Sequence, residues 1–321
     1  MEAAAADADA AAAAAHGVLL ALCSAVADQY LQWRGVQEQL RLTTAWLRLE
    51  QQELDVVRER AVAGVTDAGA VARAEQSLAA QQAQRHRIEG DAQAAVHALE
   101  RLLGLMPGQL DPALLVPAPL PAAPDPFAID VPAAVLARRP DVQAAERRLC
   151  AANARVGLAT ADLYPRLSLT GSFGLQAQQI EDLPRYDSRF WAIGPTLRWP
   201  LFDFGRVRSM VDVADARSRQ ALASYEGTVL QALADVEIAL VRLSRCRQEV
   251  DALQRAEAAA AEQQRLAREQ YERGVLEYLD MLQADRTHLQ AQGDLLRARI
   301  AMDRDVVALG KALGGGWQTA R

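Results

Sequence analysis

Apolar residues recur at every seventh position along two separate parts of the chain. In the first part these positions are Val26, Trp33, Leu40, Leu47 and Leu54. In the second part they are Val229, Val236, Leu243 and Val250, with Leu233 and Leu240 between them. A seven-residue period is typical of a coiled-coil seam. Each part is therefore predicted to form a long helix that packs along another helix.

An internal repeat relates the two patterns. Shifting the chain by 210 positions places residues 58–75 on residues 268–285, and the register holds without a gap as far as Gly104 and Gly314. Gly64 and Gly274 stand where the long helix of each copy is predicted to end, because glycine tolerates the left-handed conformation that terminates helices. The repeat predicts that residues 15–104 and 225–314 form matching helical hairpins.

Other segments complete the predicted organisation. Residues 1–104 hold the first hairpin, and residues 105–139 form a connector rich in proline, which does not continue a helix. The second copy, residues 140–314, is predicted to contain a helix at 140–161, a β-hairpin at 164–202, a long helix at 205–272 and a return helix at 276–313. Residues 315–321 form a C-terminal tail.

Two short segments alternate apolar and polar residues as strands do. "YPRLSLTGSF" (164–173) and "FWAIGPTLRWPLF" (190–202) each span about ten residues, the length of a tilted strand in a membrane barrel. The face predicted to contact lipid consists of Leu167, Leu169, Trp191, Ile193, Leu197, Trp199 and Leu201. The other face, with Ser168, Thr170 and Arg198, is predicted to face a lumen. Composition alone leaves a soluble hairpin on a small core as the alternative.

The composition is that of a mainly α protein without enzyme motifs. Hydrophobic residues make up 51% of the chain and aromatic residues 5%, so the apolar material is largely alanine, which suits close helix packing. The net charge of −6, with acids and bases interspersed, argues against nucleic acid as a partner. No metal-ligand spacing, phosphate loop or nucleophile motif occurs, so no enzyme, metal or cofactor is predicted.

The N-terminal segment and the cysteines are predicted to be helical rather than special sites. The residues before Cys23 are acidic where a signal peptide is basic, and Leu22 stands where a lipoprotein site has a small residue. No uninterrupted run of eighteen apolar residues occurs, so no transmembrane helix is predicted. Cys23, Cys150 and Cys246 lack disulfide or zinc spacing and are expected to be buried in helices.

Four segments carry a resemblance to a known family: "RRPDVQAAERRLCAANARVGLATADLYPRLSLTGSFG", "GPTLRWPLFDFGRVRS", "YERGVLEYLDMLQADR" and "KALGGGW". Together they resemble the outer-membrane efflux proteins of the TolC and OprM type, especially the NodT-like lipoprotein branch. The resemblance implies a homotrimer whose helical hairpins form an α-barrel across the periplasm and whose β-hairpins contribute to a β-barrel in outer-membrane lipid. It also implies two partners, a periplasmic membrane fusion protein and an inner-membrane RND pump, and the export of small solutes or drugs.

The start of the chain departs from the family pattern. By the 210-residue offset Met1 corresponds to Val211, so the first copy is expected to lack its entering helix and β-hairpin. Family members supply four strands per chain, whereas three copies of this chain are expected to supply six in total, too few to leave room for a solute. The sequence is therefore interpreted as an N-terminally truncated member without a signal peptide.

The resemblance assigns functional residues to the two helical turns. The family's periplasmic constriction matches Leu279, Asp280 and Gln283, with Gln283 in place of a second acid, so a less acidic gate is expected. Gly69 and Ala70 stand where the family often has a second polar pair. The tips that touch the fusion protein match Ala63, Gly64, Val65, Thr66, Arg273, Gly274, Val275 and Leu276.

Three alternatives to a complete channel stay open at the level of the sequence. A periplasmic adaptor also carries a long helical hairpin, but it needs lipoyl-like and β-barrel modules around a single hairpin. A soluble coiled-coil scaffold has no use for the alternation between Trp191 and Trp199. The third alternative is a non-functional fragment of a channel.

Overall fold

The computed structural model describes residues 1–121, 137–179 and 186–315. Within these ranges the elements are, in chain order, α1 (Glu2–Val62), α2 (Ala68–Leu102), α3 (Pro112–Leu115), α4 (Pro140–Ala161), β1 (Arg166–Leu175), β2 (Arg189–Arg198), α5 (Arg206–Glu272) and α6 (Tyr278–Ala312). A turn of 3₁₀-helix, Tyr186–Ser188, precedes β2. Long helices with one strand pair confirm the predicted fold class.

The 210-residue repeat is visible in the ends of the helices. α1 ends at Val62 and α5 at Glu272. The return helices α2 and α6 cover Ala68–Leu102 and Tyr278–Ala312. Each of these ends is separated from its counterpart by 210 residues, so the two copies agree in helix number, in turn length and in the position of their turns.

Both hairpin turns begin with the same helix termination. Gly64 has φ 72° and Gly274 has φ 73°, in the left-handed region that glycine enters without strain. The amide of Val65 donates to the carbonyl oxygen of Arg60 at 2.9 Å, and the amide of Gly64 donates to that of Ala61 at 3.0 Å. These two bonds form a Schellman motif, and the second turn repeats them 210 residues later.

Contacts divide the chain into two compact units. The first unit comprises Met1–Ala15 and Pro140–Leu230, and it contains α4, both strands and the start of α5. The second unit comprises His16–Arg139 and Gln231–Arg321, and it contains the paired parts of α1, α2, α5 and α6. The described parts of the predicted connector and tail belong to the second unit. Residues 122–136 of the connector and 316–321 of the tail lie outside the described residues.

The core of the second unit includes a seam between α5 and α6. The heptad residues Val236, Leu243 and Val250 of α5 pack in this seam, which confirms the coiled-coil pattern for the second copy. Their buried surroundings in α6 include Leu295, Ala298, Val306 and Leu309. In the first copy the heptad residues Trp33 and Leu54 are buried as well.

Arg139, which precedes α4, closes the far end of the second hairpin. Its Nη1 donates to the carbonyl oxygens of Ala312 at 3.1 Å and Ala232 at 3.3 Å, and its Nη2 donates to Asp235 at 3.0 Å. A helix leaves its last carbonyl groups without intrahelical partners. Arg139 therefore caps α6 while it binds α5.

The two strands form an antiparallel hairpin in the first unit, with Leu167 opposite Leu197 and Phe173 opposite Trp191. This register places the apolar residues of both strands on one face, as the alternation predicted. The hairpin is the one sheet found in the described ranges.

Strand β2 ends at Arg198, earlier than the sequence pattern predicted, so Trp199 and Leu201 lie beyond the strand. Pro200 has no N–H group to donate across the ladder. The amide of Leu201 instead donates to the carbonyl oxygen of Trp199 at 3.1 Å, which turns the chain toward α5.

Two further expectations differ from the structure. Only Cys246 is buried, whereas Cys23 and Cys150 are exposed, because they lie outside the packed stripes of their helices. An 18-residue stretch of α1 has a mean hydropathy of 1.9, which is long and apolar enough to cross a membrane by length and composition only. The sequence analysis expected no such stretch because it required consecutive apolar residues. The mean hydropathy of 18 residues stays high when single polar residues stand among many alanines.

Candidate functional site

The β-hairpin presents a continuous apolar face that the described part of the chain leaves uncovered. Six side chains of this face are between 66% and 78% exposed: Leu167, Leu169, Phe173, Trp191, Ile193 and Leu197. An isolated two-stranded hairpin is marginal in water. An exposed apolar patch of this kind marks a membrane or protein interaction site.

The hairpin is anchored on the helices that enter and leave it. Trp199 Nε1 donates to the carbonyl oxygen of Leu163 at 3.2 Å, and Arg166 pairs with Asp162 at the end of α4. Asp203 accepts from the amide of Val207 at 2.8 Å in the first turn of α5, and this bond holds the pKa of the Asp203 carboxyl below its usual range. The junction between strand and helix is thus fixed by side chains.

The predicted tip residues lie in the two turns between the long and return helices. Ala63, Gly64 and Val65 are exposed and Thr66 is half-buried. In the second turn Arg273, Gly274 and Val275 are exposed and Leu276 is half-buried. The apolar Val65 and Val275, at equivalent positions, are 65% and 76% exposed, so each turn offers one apolar side chain for contact.

The predicted constriction residues lie in the first two turns of α6. Leu279 is half-buried, and Asp280 and Gln283 are exposed on the same side of the helix. Within the described ranges no arginine, lysine or histidine lies within ion-pair distance of Asp280. Its carboxylate is exposed to solvent.

An ion pair that the sequence analysis did not predict joins the two turns. Arg60, at the end of α1, contacts Glu277, just before α6, through Nη1 at 3.1 Å and Nη2 at 3.2 Å. In the first copy Asp67 holds the equivalent position and caps α2 instead, accepting from the amide of Ala70 at 2.8 Å. The repeat has therefore diverged where the two turns touch.

Another ion pair is shared by the two copies. Arg58 and Glu75 lie 2.6 Å apart in the first copy, and the equivalent Arg268 and Asp285 lie 3.0 Å apart in the second. The first pair is half-exposed, whereas the Asp285 side chain is only 6% exposed. The shared pair fastens each long helix to its return helix behind the turn.

A buried acidic cluster ties α6 to α1. Arg286 Nη2 lies 3.0 Å from Glu50, and the same guanidinium pairs with Glu53. Trp46 Nε1 also donates to Glu50 at 2.9 Å. Charges in such positions are costly unless they are paired and hydrogen-bonded. This cluster therefore specifies how the two hairpins meet.

A polar network also occupies the interior of the second hairpin. His288 of α6 contacts Gln264 and Glu257 of α5 at 2.8 and 2.9 Å. The sequence analysis did not predict this network. The available signal was the repeat itself, since the equivalent residues of the first copy, Leu78, Leu54 and Leu47, are all leucine.

The described residues contain no group of three or more His, Cys, Asp and Glu side chains placed to hold a metal ion. The features that these residues bring together are an apolar strand face, two exposed helical turns and one unpaired acid beside a turn. Exposed apolar side chains of this kind are features of contact surfaces.

Comparison with known proteins identifies the family. The sequence profile described as "Outer membrane efflux protein" matches residues 1–105 and 131–315. Outer membrane protein OprJ of Pseudomonas aeruginosa is 34% identical over 311 residues, which cover 96% of this chain and 64% of OprJ. The toluene efflux pump outer membrane protein TtgI of Pseudomonas putida is 32% identical over 317 residues, which cover 96% of this chain and 65% of TtgI.

A solved structure shares the fold. The outer-membrane channel OprN aligns with a TM-score of 0.88 at 34% identity, and the alignment covers 99% of this chain and 71% of OprN. The chain spans a little under two thirds of the length of OprJ and TtgI. With most of its sequence matched by the profile and its fold shared with an outer-membrane channel, this chain belongs to the outer membrane efflux protein family and its location is the outer membrane.

Proposed function

We propose that the chain is a protomer of a homotrimeric outer-membrane channel in a tripartite efflux system that exports small solutes or drugs, and that it is not an enzyme. The exposed apolar face of the β-hairpin carries this proposal, because lipid stabilises such a face and water does not. The names of two relatives agree with it, since TtgI is a component of an efflux pump and OprN is a channel.

Within this proposal each segment has a part. The apolar strand residues contact lipid, and Trp199 and Leu201 continue the same face at the membrane boundary, where tryptophan is favoured. Ser168, Thr170 and Arg198 face the lumen. The hairpins of residues 1–104 and 140–314 form the periplasmic part, joined by the connector 105–139. Side chains already fill a barrel of eight strands, so a pore wide enough for solutes needs more strands than that. We assign such a pore to an assembly of chains with the full length of the relatives.

Leu279, Asp280 and Gln283 are proposed to line the periplasmic constriction. Three copies of an unpaired Asp280 around a narrow axis concentrate negative potential, as carboxylate rings do in cation-selective pores. Leu279 narrows the passage and Gln283 adds no charge. The tips, with Val65 and Val275 exposed, are proposed to contact a periplasmic membrane fusion protein, which connects the channel to an inner-membrane RND pump.

A chimera tests the proposal. The region of TtgI that aligns with this chain is replaced by the chain and produced in a strain without TtgI. We expect the chimera to restore toluene tolerance, to run as a trimer in detergent and to form discrete conductances in planar bilayers. A chimera that reaches the outer membrane but gives neither tolerance nor conductance contradicts the proposed function.

Two variants of the chimera test the constriction. Asp280→Asn is expected to lower cation preference and to weaken block by trivalent cations, because it removes the acidic ring. Gln283→Asp is expected to strengthen both. Asp91→Asn, an exposed acid of α2, is the matched control and leaves both unchanged. If Asp280→Asn behaves like the control, the constriction lies elsewhere.

A further inference from the structure

Three polar residues occupy the inside of the α5–α6 hairpin where the repeat places leucine. Glu257, Gln264 and His288 are the counterparts of Leu47, Leu54 and Leu78. The side chains of Glu257 and His288 are 27% and 14% exposed, so the second copy places a polar network where the first has apolar side chains. Such a replacement lowers the apolar contribution to packing and makes the helix pairing depend on hydrogen bonds.

The hydrogen bonds of His288 fix the orientation of its partners. Gln264 Nε2 donates to Asp285 Oδ1 at 2.8 Å, and an ionised carboxylate can only accept. The amide oxygen of Gln264 is therefore the atom that faces His288, and it lies 2.8 Å from Nδ1. On the other side of the ring, Nε2 lies 2.9 Å from the Glu257 carboxylate.

Both ring nitrogens of His288 thus face acceptors. A neutral imidazole carries one N–H and satisfies only one of the two, whereas an imidazolium donates to both. Gln292, one turn further along α6, places its amide Nε2 3.1 Å from the ring Nε2, and a half-turn of this amide presents its oxygen to a protonated ring instead. Only the imidazolium donates to both Gln264 and Glu257.

Charged groups face the ring from both helices of the hairpin. From α5, Glu257 has no arginine or lysine within ion-pair distance in the described part of the chain. From α6, Asp285 is paired with Arg268, and Arg286 is paired with Glu50 and Glu53 of α1.

The cavity beside Glu257 and Gln292 is also lined by charged residues. They are Glu38 and Arg41 of α1, which pair with each other, and Arg299 and Asp303 of α6. Among the described residues, His288 is the one basic side chain within ion-pair distance of Glu257.

We propose that His288 makes the α5–α6 hairpin a proton-sensitive element. When the imidazolium is present, it ties α5 to α6 through Glu257 and Gln264. When the ring loses a proton, one of these ties is lost and the start of α6 loosens. Histidine is the side chain whose unperturbed charge change falls between pH 5 and 8.

The effect of this pH response on the constriction rests on the proposed function, whereas the pH response of the hairpin itself does not. His288 lies eight residues after Asp280, which is about 12 Å along the helix. Loosening of these two turns by deprotonation therefore acts on the segment proposed to form the constriction. The first hairpin, with leucines in place of the network, has no such response.

Amide hydrogen exchange of the chain in detergent tests the inference directly. Protection of amides 279–292 is measured between pH 5.5 and 8.0 and corrected for the intrinsic exchange rate at each pH. We expect it to fall by about tenfold over this range, because one charge-assisted hydrogen bond is lost. Amides 69–82, the equivalent segment of the first hairpin, are the control within the same molecule and keep constant protection.

Two variants separate the histidine from other titrating groups. His288→Gln carries no proton and is expected to show low protection of amides 279–292 at both ends of the pH range. The triple variant Glu257→Leu, Gln264→Leu, His288→Leu restores the residues of the first copy and is expected to show high protection at both ends.

Unchanged protection of 279–292 in the unsubstituted chain, or a pH response that persists in His288→Gln, overturns the inference even if the triple variant does not fold. Hydrogen exchange does not require a conducting channel. A TtgI chimera that gives neither tolerance nor conductance therefore contradicts the proposed function and leaves the inference about His288 unaffected.

Discussion

At the scale of single residues, the buried acids of the second unit differ in whether a basic side chain pairs with them. Asp285 and Glu50 have arginine partners, whereas Asp303 is buried and has no such partner within ion-pair distance among the described residues. Asp303 lines a cavity of about 610 Å³. Burial raises the pKa of its carboxyl, and the nearby Arg299 offsets this only in part. The equivalent residue of the first copy is the neutral Gln93.

Asp303→Asn is therefore expected to stabilise the chain. Removing an uncompensated buried charge should raise the free energy of unfolding at pH 7.5 by about 1 kcal/mol. A raised pKa in the folded state means that the folded chain binds the proton more tightly, so the unsubstituted chain recovers this loss as the pH falls through the folded pKa. The advantage of the variant should then shrink at pH 4.5, as measured by thermal unfolding in detergent.

Asp285→Asn provides the contrast, because it removes a paired acid and leaves Arg268 without its partner. It should destabilise the chain at pH 7.5. An Asp303→Asn variant that is less stable than the unsubstituted chain at pH 7.5, or equally advantaged at both pH values, contradicts the interpretation of Asp303 as an uncompensated charge.

At the scale of elements, the turns of the two hairpins are determined by backbone conformation. Gly64 and Gly274 adopt positive φ, and an added Cβ at either glycine meets no atom within 4 Å. The cost of a substitution there is therefore the left-handed backbone alone and not a steric clash. Gly90, inside α2, also has free space around a Cβ but does not adopt positive φ.

Alanine substitutions separate these two situations. Gly274→Ala is expected to lower the free energy of unfolding by about 1 kcal/mol, and Gly64→Ala by a similar amount. Gly90→Ala is expected to raise it by about 1 kcal/mol, because alanine is the better helix former. Thermal unfolding of the three variants under one condition is the measurement. The same sign for Gly274→Ala and Gly90→Ala disproves the role of the turn glycines.

Much of the helical architecture was accessible from the sequence because its signals are local. The glycines at the turns and the 210-residue offset gave the ends of the helices within about two residues, the usual uncertainty of helix ends. The early end of β2 was missed because strand alternation continues through Trp199 and Leu201, although Pro200 interrupts the ladder. Burial of Cys150 was misjudged because apolar character alone does not say which side of a helix is covered.

The candidate site was less accessible because it depends on neighbours that are distant in sequence. Arg60 and Glu277 are 217 residues apart, and no local pattern pairs them. The network of His288 joins residues 24 and 31 positions apart. Its one sequence signal is the replacement of three leucines by polar residues between the copies, which becomes informative only when the repeat is aligned position by position.

At the scale of the whole molecule, the second unit is an assembly of two hairpins fastened by ion pairs. Arg60 to Glu277, Arg286 to Glu50, and Arg304 to Asp28 at 2.5 Å each join α1 to α6 or its preceding turn. The more exposed pairs, Arg60 to Glu277 and Arg304 to Asp28, contribute little to stability singly, whereas Glu50 is buried. Their number and direction specify which hairpin faces meet, and this supports a defined arrangement of the two turns that carry the proposed tip and constriction.

The first unit carries the claim on which the rest of the account depends, that the β-hairpin is a piece of a membrane barrel. Its apolar face is exposed, and along each strand apolar residues of this face alternate with polar residues of the other face. In a barrel these faces contact lipid and the lumen, whereas in a soluble hairpin both contact water or a small core.

Spin-label accessibility across adjacent strand positions tests this claim most directly. Nitroxide labels are placed singly at Leu169 and Thr170 of the chain in lipid vesicles, after the exposed Cys23 and Cys150 are replaced by serine. The account predicts that the label at Leu169 collides with oxygen dissolved in lipid and not with a water-soluble nickel chelate, and that the label at Thr170 shows the reverse. Equal accessibility of the two labels to the nickel chelate would contradict the membrane assignment and with it the proposed channel.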